Sequence, residues 1–110
     1  MDGDDTLYLR LSLMTPRPAM RERVIELHRE LVDWLRGQDG FVHGYLLVDG
    51  DPQGRIGHLN LYRSEDDADR VAQTDHVLHV RSELLMLIEE ESHVEHSYTV
   101  IDPPATAPRP

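Results

Sequence analysis

Gly57-His58-Leu59-Asn60-Leu61-Tyr62-Arg63-Ser64-Glu65-Asp66-Asp67-Ala68-Asp69-Arg70-Val71-Ala72-Gln73-Thr74-Asp75-His76-Val77-Leu78-His79-Val80-Arg81-Ser82-Glu83-Leu84-Leu85-Met86-Leu87-Ile88-Glu89-Glu90 is the stretch that decides the fold. Gly57 to Tyr62 reads as a strand with period-2 alternation. Ser64 stands three residues before Asp67, the spacing at which a hydroxyl accepts from a backbone N–H of a first helical turn. Glu65, Asp66 and Asp67 then fall at the positive end of the helix dipole, which makes the acidic run a helix start rather than a metal site. A second cap at Thr74 opens a longer helix that ends near Glu90.

Outward from this junction the chain continues the same alternation of strand and helix. Leu7, Leu9, Leu11 and Leu13 alternate with Tyr8, Arg10, Ser12 and Met14, a first strand with one wholly apolar face. Thr15-Pro16-Arg17-Pro18 interrupts it. Met20, Val24, Leu27, Leu31, Trp34 and Leu35 recur at helical spacing up to Gly37, which makes Trp34 a core residue. Gly40 to Val48 and Arg55 to Tyr62 flank the turn-rich Asp49-Gly50-Asp51-Pro52-Gln53-Gly54 and predict a hairpin. His93 to Ile101 alternates again, with Val94, His96, Tyr98 and Val100 on one side. The order β-α-β-β-α-β predicts an α+β fold of the ferredoxin-like kind, an antiparallel sheet with its helices on one face. Residues 1–6 read as a flexible N-terminus, 7–101 as the domain, and the proline-rich 102–110 as a disordered tail.

Composition narrows the function. The chain has 110 residues, enough for one domain, and a net charge of −10 from 11 basic and 21 acidic side chains, which works against nucleic acid and anionic membrane surfaces as partners. All the basic residues are arginines. With no cysteine, thiolate chemistry and disulfides are excluded. No apolar run approaches the roughly 20 residues of a membrane span, and the acidic Met1 to Asp5 is unlike a secretory signal, so the expected location is the cytoplasm. No phosphate loop, dinucleotide fingerprint or nucleophile elbow occurs, which leaves flavin and nucleotide cofactors without a seat.

Strand two carries Phe41, His43, Tyr45 and Leu47 on one face and Val42, Gly44, Leu46 and Val48 on the other, neither suited to water. Two helices cover one sheet face, so the other calls for a second copy, and a homodimer is expected. With the leucine face of strand one against the helices, Tyr8, Arg10, Ser12 and Met14 point into the space between sheet and partner. His58, Asn60 and Tyr62 join them there, opposite Leu59 and Leu61. Such a lining suits a small-molecule cavity, or an interface whose polar groups satisfy one another.

These residues resemble the antibiotic biosynthesis monooxygenase family, built on the dimeric α+β barrel. The resemblance runs from Leu7 to Ile101. It rests on Gly40-Phe41 opening strand two, on Leu61-Tyr62-Arg63-Ser64-Glu65-Asp66 where relatives read aromatic-x-Ser before an acidic helix start, and on Thr74-Asp75-His76. It implies cofactor-free oxygenases that oxidise aromatic polyketides to quinones, haem-degrading enzymes, or proteins without a known activity. In the quinone-forming enzymes a Trp and an Asn of strand three line the cavity; those positions are Tyr62 and His58 here. The haem-degrading branch has a Trp and a haem-ligating His at positions that fall near Val71 and Arg81, which argues against haem.

The candidate catalytic residues are therefore His58 and Tyr62, and the candidate substrate-binding residues Tyr8, Arg10, His43, Asn60 and Arg81. His43 and His58 on adjacent strands suit general-base chemistry near neutral pH, or simple bonding to strand neighbours. Arg10 and Arg81 suit an anionic or phenolate substrate, or pairing with the many carboxylates. His76 and His79 share a helix side at i, i+3, but no third ligand or zinc framework accompanies them, so no metal is expected. His93 and His96 lie on opposite faces of strand four. The expected function is a cofactor-independent monooxygenase acting on a small aromatic or polyketide-like substrate; the alternative is a non-catalytic, ligand-binding dimeric barrel.

Overall fold

The computed structural model describes residues 6–101. The flexible N-terminus expected over residues 1–6, apart from residue 6, and the disordered tail expected over 102–110 lie outside the described residues. Leucine alternation builds strand β1 (Leu7–Met14), the apolar stripe builds helix α1 (Arg21–Leu35), and the hairpin supplies strands β2 (Phe41–Val48) and β3 (Ile56–Tyr62). Helices α2 (Glu65–Ala72) and α3 (Asp75–Leu87) follow, then strand β4 (Val94–Val100). The sheet order is β2-β3-β1-β4, with every neighbouring pair antiparallel. Both caps form: Ser64 Oγ accepts from the Asp67 N–H at 3.1 Å and Thr74 Oγ1 from the Val77 N–H at 3.4 Å. Helix α3 stops at Leu87, short of the expected Glu90. Ile88 turns extended and buries its side chain in the core, while the Glu89 N–H donates to the Thr15 carbonyl at 2.8 Å. Pairing with the β1–α1 connector thus replaces the last helical turn.

The sheet presents the helices with the face opposite to the one expected. Met14, Ile56 and Tyr62 are buried in one cluster with Val24, Leu27, Leu31 and Leu35 of α1, Ala68 and Val71 of α2, and Val80 and Leu84 of α3. Ser12 and Asn60 are buried on the same side. The leucines of β1, together with Leu59 and Leu61, lie on the far face and are only half-buried. Period-2 alternation settles which residues share a face, not which face receives the helices, and both faces here are apolar enough to be chosen. A bulge between Phe41 and His43 shifts the phase of β2. Phe41 therefore joins Tyr62 on the helix side, whereas His43, Tyr45 and Leu47 sit beside Leu61, Leu59 and Gly57 on the leucine face. Register with β1 puts Val94, His96, Tyr98 and Val100 there too.

Gly40, which opens β2, has φ +89, a left-handed conformation that side chains resist. Its carbonyl accepts from the Arg63 N–H at 2.8 Å, and a Cβ there would overlap the Asp67 side chain, itself tied to the α2 cap. Gly40→Ala should cost about 1–3 kcal/mol of stability. Urea unfolding at constant m is the measurement, and an unchanged midpoint would contradict this account of the turn.

Candidate functional site

Three histidines meet where α1 and α3 cross the sheet. His28 lies on the buried stripe of α1, one turn from Val24 and from Leu31, and is fully buried. Its Nδ1 is 3.0 Å from Nδ1 of His58 on β3, and its Nε2 is 3.4 Å from the Met14 sulfur. His93, just before β4, contacts the Ser12 hydroxyl through Nε2 at 2.9 Å. Beside these groups is a cavity of about 60 Å³, walled by Ser12, Met14, Leu31, His58, Val77, Leu84 and His93. Arg81 and Leu85 of α3 and Glu95 of β4 complete its lining. Arg81 and Glu95 are exposed and approach to 3.4 Å across the gap between α3 and β4.

Burial sets the charge state of this cluster. Loss of water pushes the His28 imidazole down to about 4, with the neighbouring His93 adding to the effect. Burial, then His28, then His93 push His58 down to about 3. Burial also lowers His93, with Arg81 contributing in the same direction. At neutral pH the cavity is therefore walled by uncharged imidazoles, each with one donor and one acceptor nitrogen.

A second polar group lies further along the same face, under α2. Arg10 binds Asp69 of α2 at 2.6 Å and Ser97 of β4 at 3.3 Å, and its guanidinium stands 5.4 Å from the Tyr8 ring centre. Tyr62 packs edge-on against Phe41, with ring centres 5.7 Å apart, and burial pushes its hydroxyl up to about 12. The hydroxyl therefore keeps its proton at neutral pH and is not a base there. Asn60, 2% exposed, has an Oδ1 without a partner, seated where Gly44 lacks a side chain: a Cβ would come within 2.5 Å of that oxygen.

The expected site residues thus fall into three places. His58 and Arg81 share the cavity. Tyr8, Arg10, Asn60 and Tyr62 form the second group, and four strand residues at about 3.3 Å each separate the His58 and Tyr62 backbones by about 13 Å. His43 lies across the sheet, edge-on to Tyr45 at 4.6 Å, because the bulge turned it to the leucine face. His28, Ser12 and His93, which complete the cavity, were not among the expected site residues. His28 had a readable signal, a titratable group on the apolar stripe of a helix; His93, in an irregular segment, had none. His76 stacks on a half-buried Trp34 at 4.3 Å and stands apart from the cavity. Among the described residues no group of three or more His, Asp or Glu could hold a metal ion.

The sequence profile of the antibiotic biosynthesis monooxygenases matches residues 8–83, well over half of the chain. The chain belongs to that family. The fold is also that of solved structures below 25% identity. The Mycobacterium tuberculosis protein Rv0793 superposes with TM-score 0.79 at 21% identity, covering 88% of this chain and 97% of its own. A protein from Methanosarcina mazei gives 0.78 at 12%, covering 87% and 94%. SnoaB, a cofactor-independent oxygenase from Streptomyces nogalater, gives 0.69 at 15%, covering 94% and 99%. None of the curated proteins matches the sequence. Val71 is buried in this core, and Arg81 is exposed.

His28 and His58 couple stability of this family member to pH. Unfolded, both titrate near 6.5, whereas folded they titrate near 4 and 3. In that interval the unfolded chain binds more protons, so their contribution is complete above pH 6.5 and is lost as the pH falls through it. For His28 the loss amounts to about 3 kcal/mol. His28→Asn should flatten the fall in melting temperature between pH 6.5 and 4, measured against the native chain at each pH. Parallel curves would show that His28 is not held neutral.

Proposed function

We propose that the protein is a cofactor-independent monooxygenase acting on a small phenolic, aromatic or polyketide-like molecule, with His58 as the base. The observation that carries this reading is the His58 imidazole, uncharged at neutral pH, on the wall of a cavity between sheet and helices. Family membership and the likeness in fold to a cofactor-independent oxygenase support it. His58 takes the phenolic proton, Arg81 at the mouth faces the resulting anion, and the electron-rich ring reacts with O₂. For a naphthol oxidised to a naphthoquinone, one oxygen atom becomes the new carbonyl and the other leaves as water. The ring supplies the four electrons, so no flavin or metal is required.

The cavity is smaller than the ~150 Å³ that accommodates benzene, so entry of a ring displaces part of the lining. Leu85, 50% exposed, and the surface pair Arg81–Glu95 are the parts that move at least cost. A ligand-binding barrel without catalysis is the second reading, favoured by the orphan Asn60 oxygen, which chemistry at His58 does not use.

O₂ uptake in the presence of naphthols and polyphenols decides between them. The oxygenase reading expects quinone formation, and His58→Ala should lower turnover by ~10²–10⁴-fold, the usual loss on removing a positioned base. Tyr62→Phe should leave turnover close to that of the native chain, since Tyr62 lies outside the cavity; a comparable loss there would mean that substrate spans both polar groups. Tight binding of a phenol without O₂ uptake favours the ligand-binding reading.

The half-buried leucines of β1 and β3, flanked by Tyr45, Val94 and Tyr98, are the surface we assign to a second copy, making a homodimer. Sedimentation at micromolar concentration should give twice the chain mass. Leu59→Glu, on that face and away from the cavity, should return the monomer; a monomeric native chain would refute the assignment.

A further inference from the structure

We infer that His28 is a positioning residue for His58: by accepting the His58 Nδ1–H it fixes the tautomer in which Nε2 is bare and free to take a proton. This rests on the reading of His58 as the base. The deduction begins at Met14, whose thioether can accept a hydrogen bond but not donate one. His28 Nε2, 3.4 Å from that sulfur, therefore carries its ring's hydrogen. A neutral imidazole has one N–H, so His28 Nδ1 is a bare acceptor. The partner 3.0 Å away, His58 Nδ1, must then be the donor. His58 is itself neutral, which leaves its Nε2 unprotonated.

The opposite arrangement fails on the same contacts. If His28 Nδ1 bore the hydrogen, its Nε2 lone pair would face the sulfur lone pairs inside the core, with no donor to satisfy either. His58 would then hold its hydrogen on Nε2 and could donate to a substrate but not accept from one. With both rings protonated, two N–H groups would confront each other at 3.0 Å. Met14, His28 and His58 thus form a directed chain from β1 through α1 to β3. When Nε2 of His58 receives a proton, the Nδ1–H bond to His28 persists and strengthens, because its donor is now cationic. The arrangement has the logic of the hydrogen-bonded partner that orients a catalytic imidazole, with a neutral ring in the place of a carboxylate.

The test is nitrogen NMR of the ¹⁵N-labelled full chain at neutral pH, read through long-range ring proton–nitrogen correlations. The native chain should show His58 with a protonated Nδ1 and an unprotonated Nε2, and His28 with the reverse. His58 protonated on Nε2, or averaged between tautomers, overturns the inference whether or not the protein consumes O₂. His28→Asn retains an acceptor and should keep the His58 pattern; His28→Leu should lose it. With a naphthol that the native chain oxidises, His28→Leu should lower kcat toward the ~10²–10⁴-fold loss of a missing base while KM changes little, and His28→Asn should recover much of it. Equal kcat losses in both variants with an unchanged His58 spectrum would make His28 merely structural. A native chain without O₂ uptake would end the oxygenase reading and leave the tautomer to be decided by the spectrum, which also decides should neither variant fold.

Discussion

The hydrogen bond between His28 and His58 is the contact on which the arrangement of sheet and helices turns. A polar ring buried without a partner costs about 1–3 kcal/mol, and here each ring is the other's partner. That mutual satisfaction lets α1 lie on the polar face of the sheet instead of the leucine face. Around it the apolar contacts of Met14, Leu27, Leu31 and Ile56 close the core over the fully buried His28 ring. Dryness in turn holds both rings neutral. Packing and charge state thus share one constraint: the interface that buries α1 also holds His58 neutral.

Element positions were legible because they rest on local rules. Ser64 and Thr74 act on backbone groups within one turn, and the leucine alternation of β1 needs only the geometry of a strand. The facing of the sheet was not legible, since it depends on contacts between residues far apart in sequence, such as Met14 with His28 and Ser12 with His93. One inserted residue at the β2 bulge sufficed to send His43 to the leucine face, across the sheet from the cavity. His58 and Arg81 were found as candidates, but the third dimension separated them from Tyr62 and Arg10. The end of α3 was misjudged for a related reason: Ile88 gains more from the core and from its bridge to Pro16 than from another helical residue.

The exchange of faces changes what each surface is for. Placing the polar face beneath the helices encloses the candidate site within a single chain, so its walls do not wait on a partner. It also leaves the leucine face as the larger unsatisfied apolar surface, with Tyr45 and Tyr98 exposed at its two sides. The proposed assembly surface and the candidate site then lie on opposite faces of one sheet, linked only through its strands. Arg10, by contrast, is committed to Asp69 and Ser97, so the second polar group is closed by ion pairing where the cavity is not.

The low basicity of His58 bears on how the proposed reaction proceeds. An ordinary phenol titrates near 10, so transfer of its proton to a ring near 3 is uphill by about 10 kcal/mol in the empty site. A phenolate held about 4 Å from the new imidazolium recovers roughly 4 kcal/mol at an effective dielectric of about 20, and a cation on its far side recovers about 2 kcal/mol net of its repulsion with the imidazolium. Arg81 is the cation available, and its bond to Glu95 is long and exposed, hence cheap to exchange for a substrate anion. The remaining deficit is a few kcal/mol. It makes the phenolate a transient species that forms beside His58 and is drawn forward by O₂, and it favours substrates more acidic than a simple phenol. Dryness that weakens the base also strengthens the ion pair formed by its use, so the proposed reaction selects its substrate by acidity as well as by size.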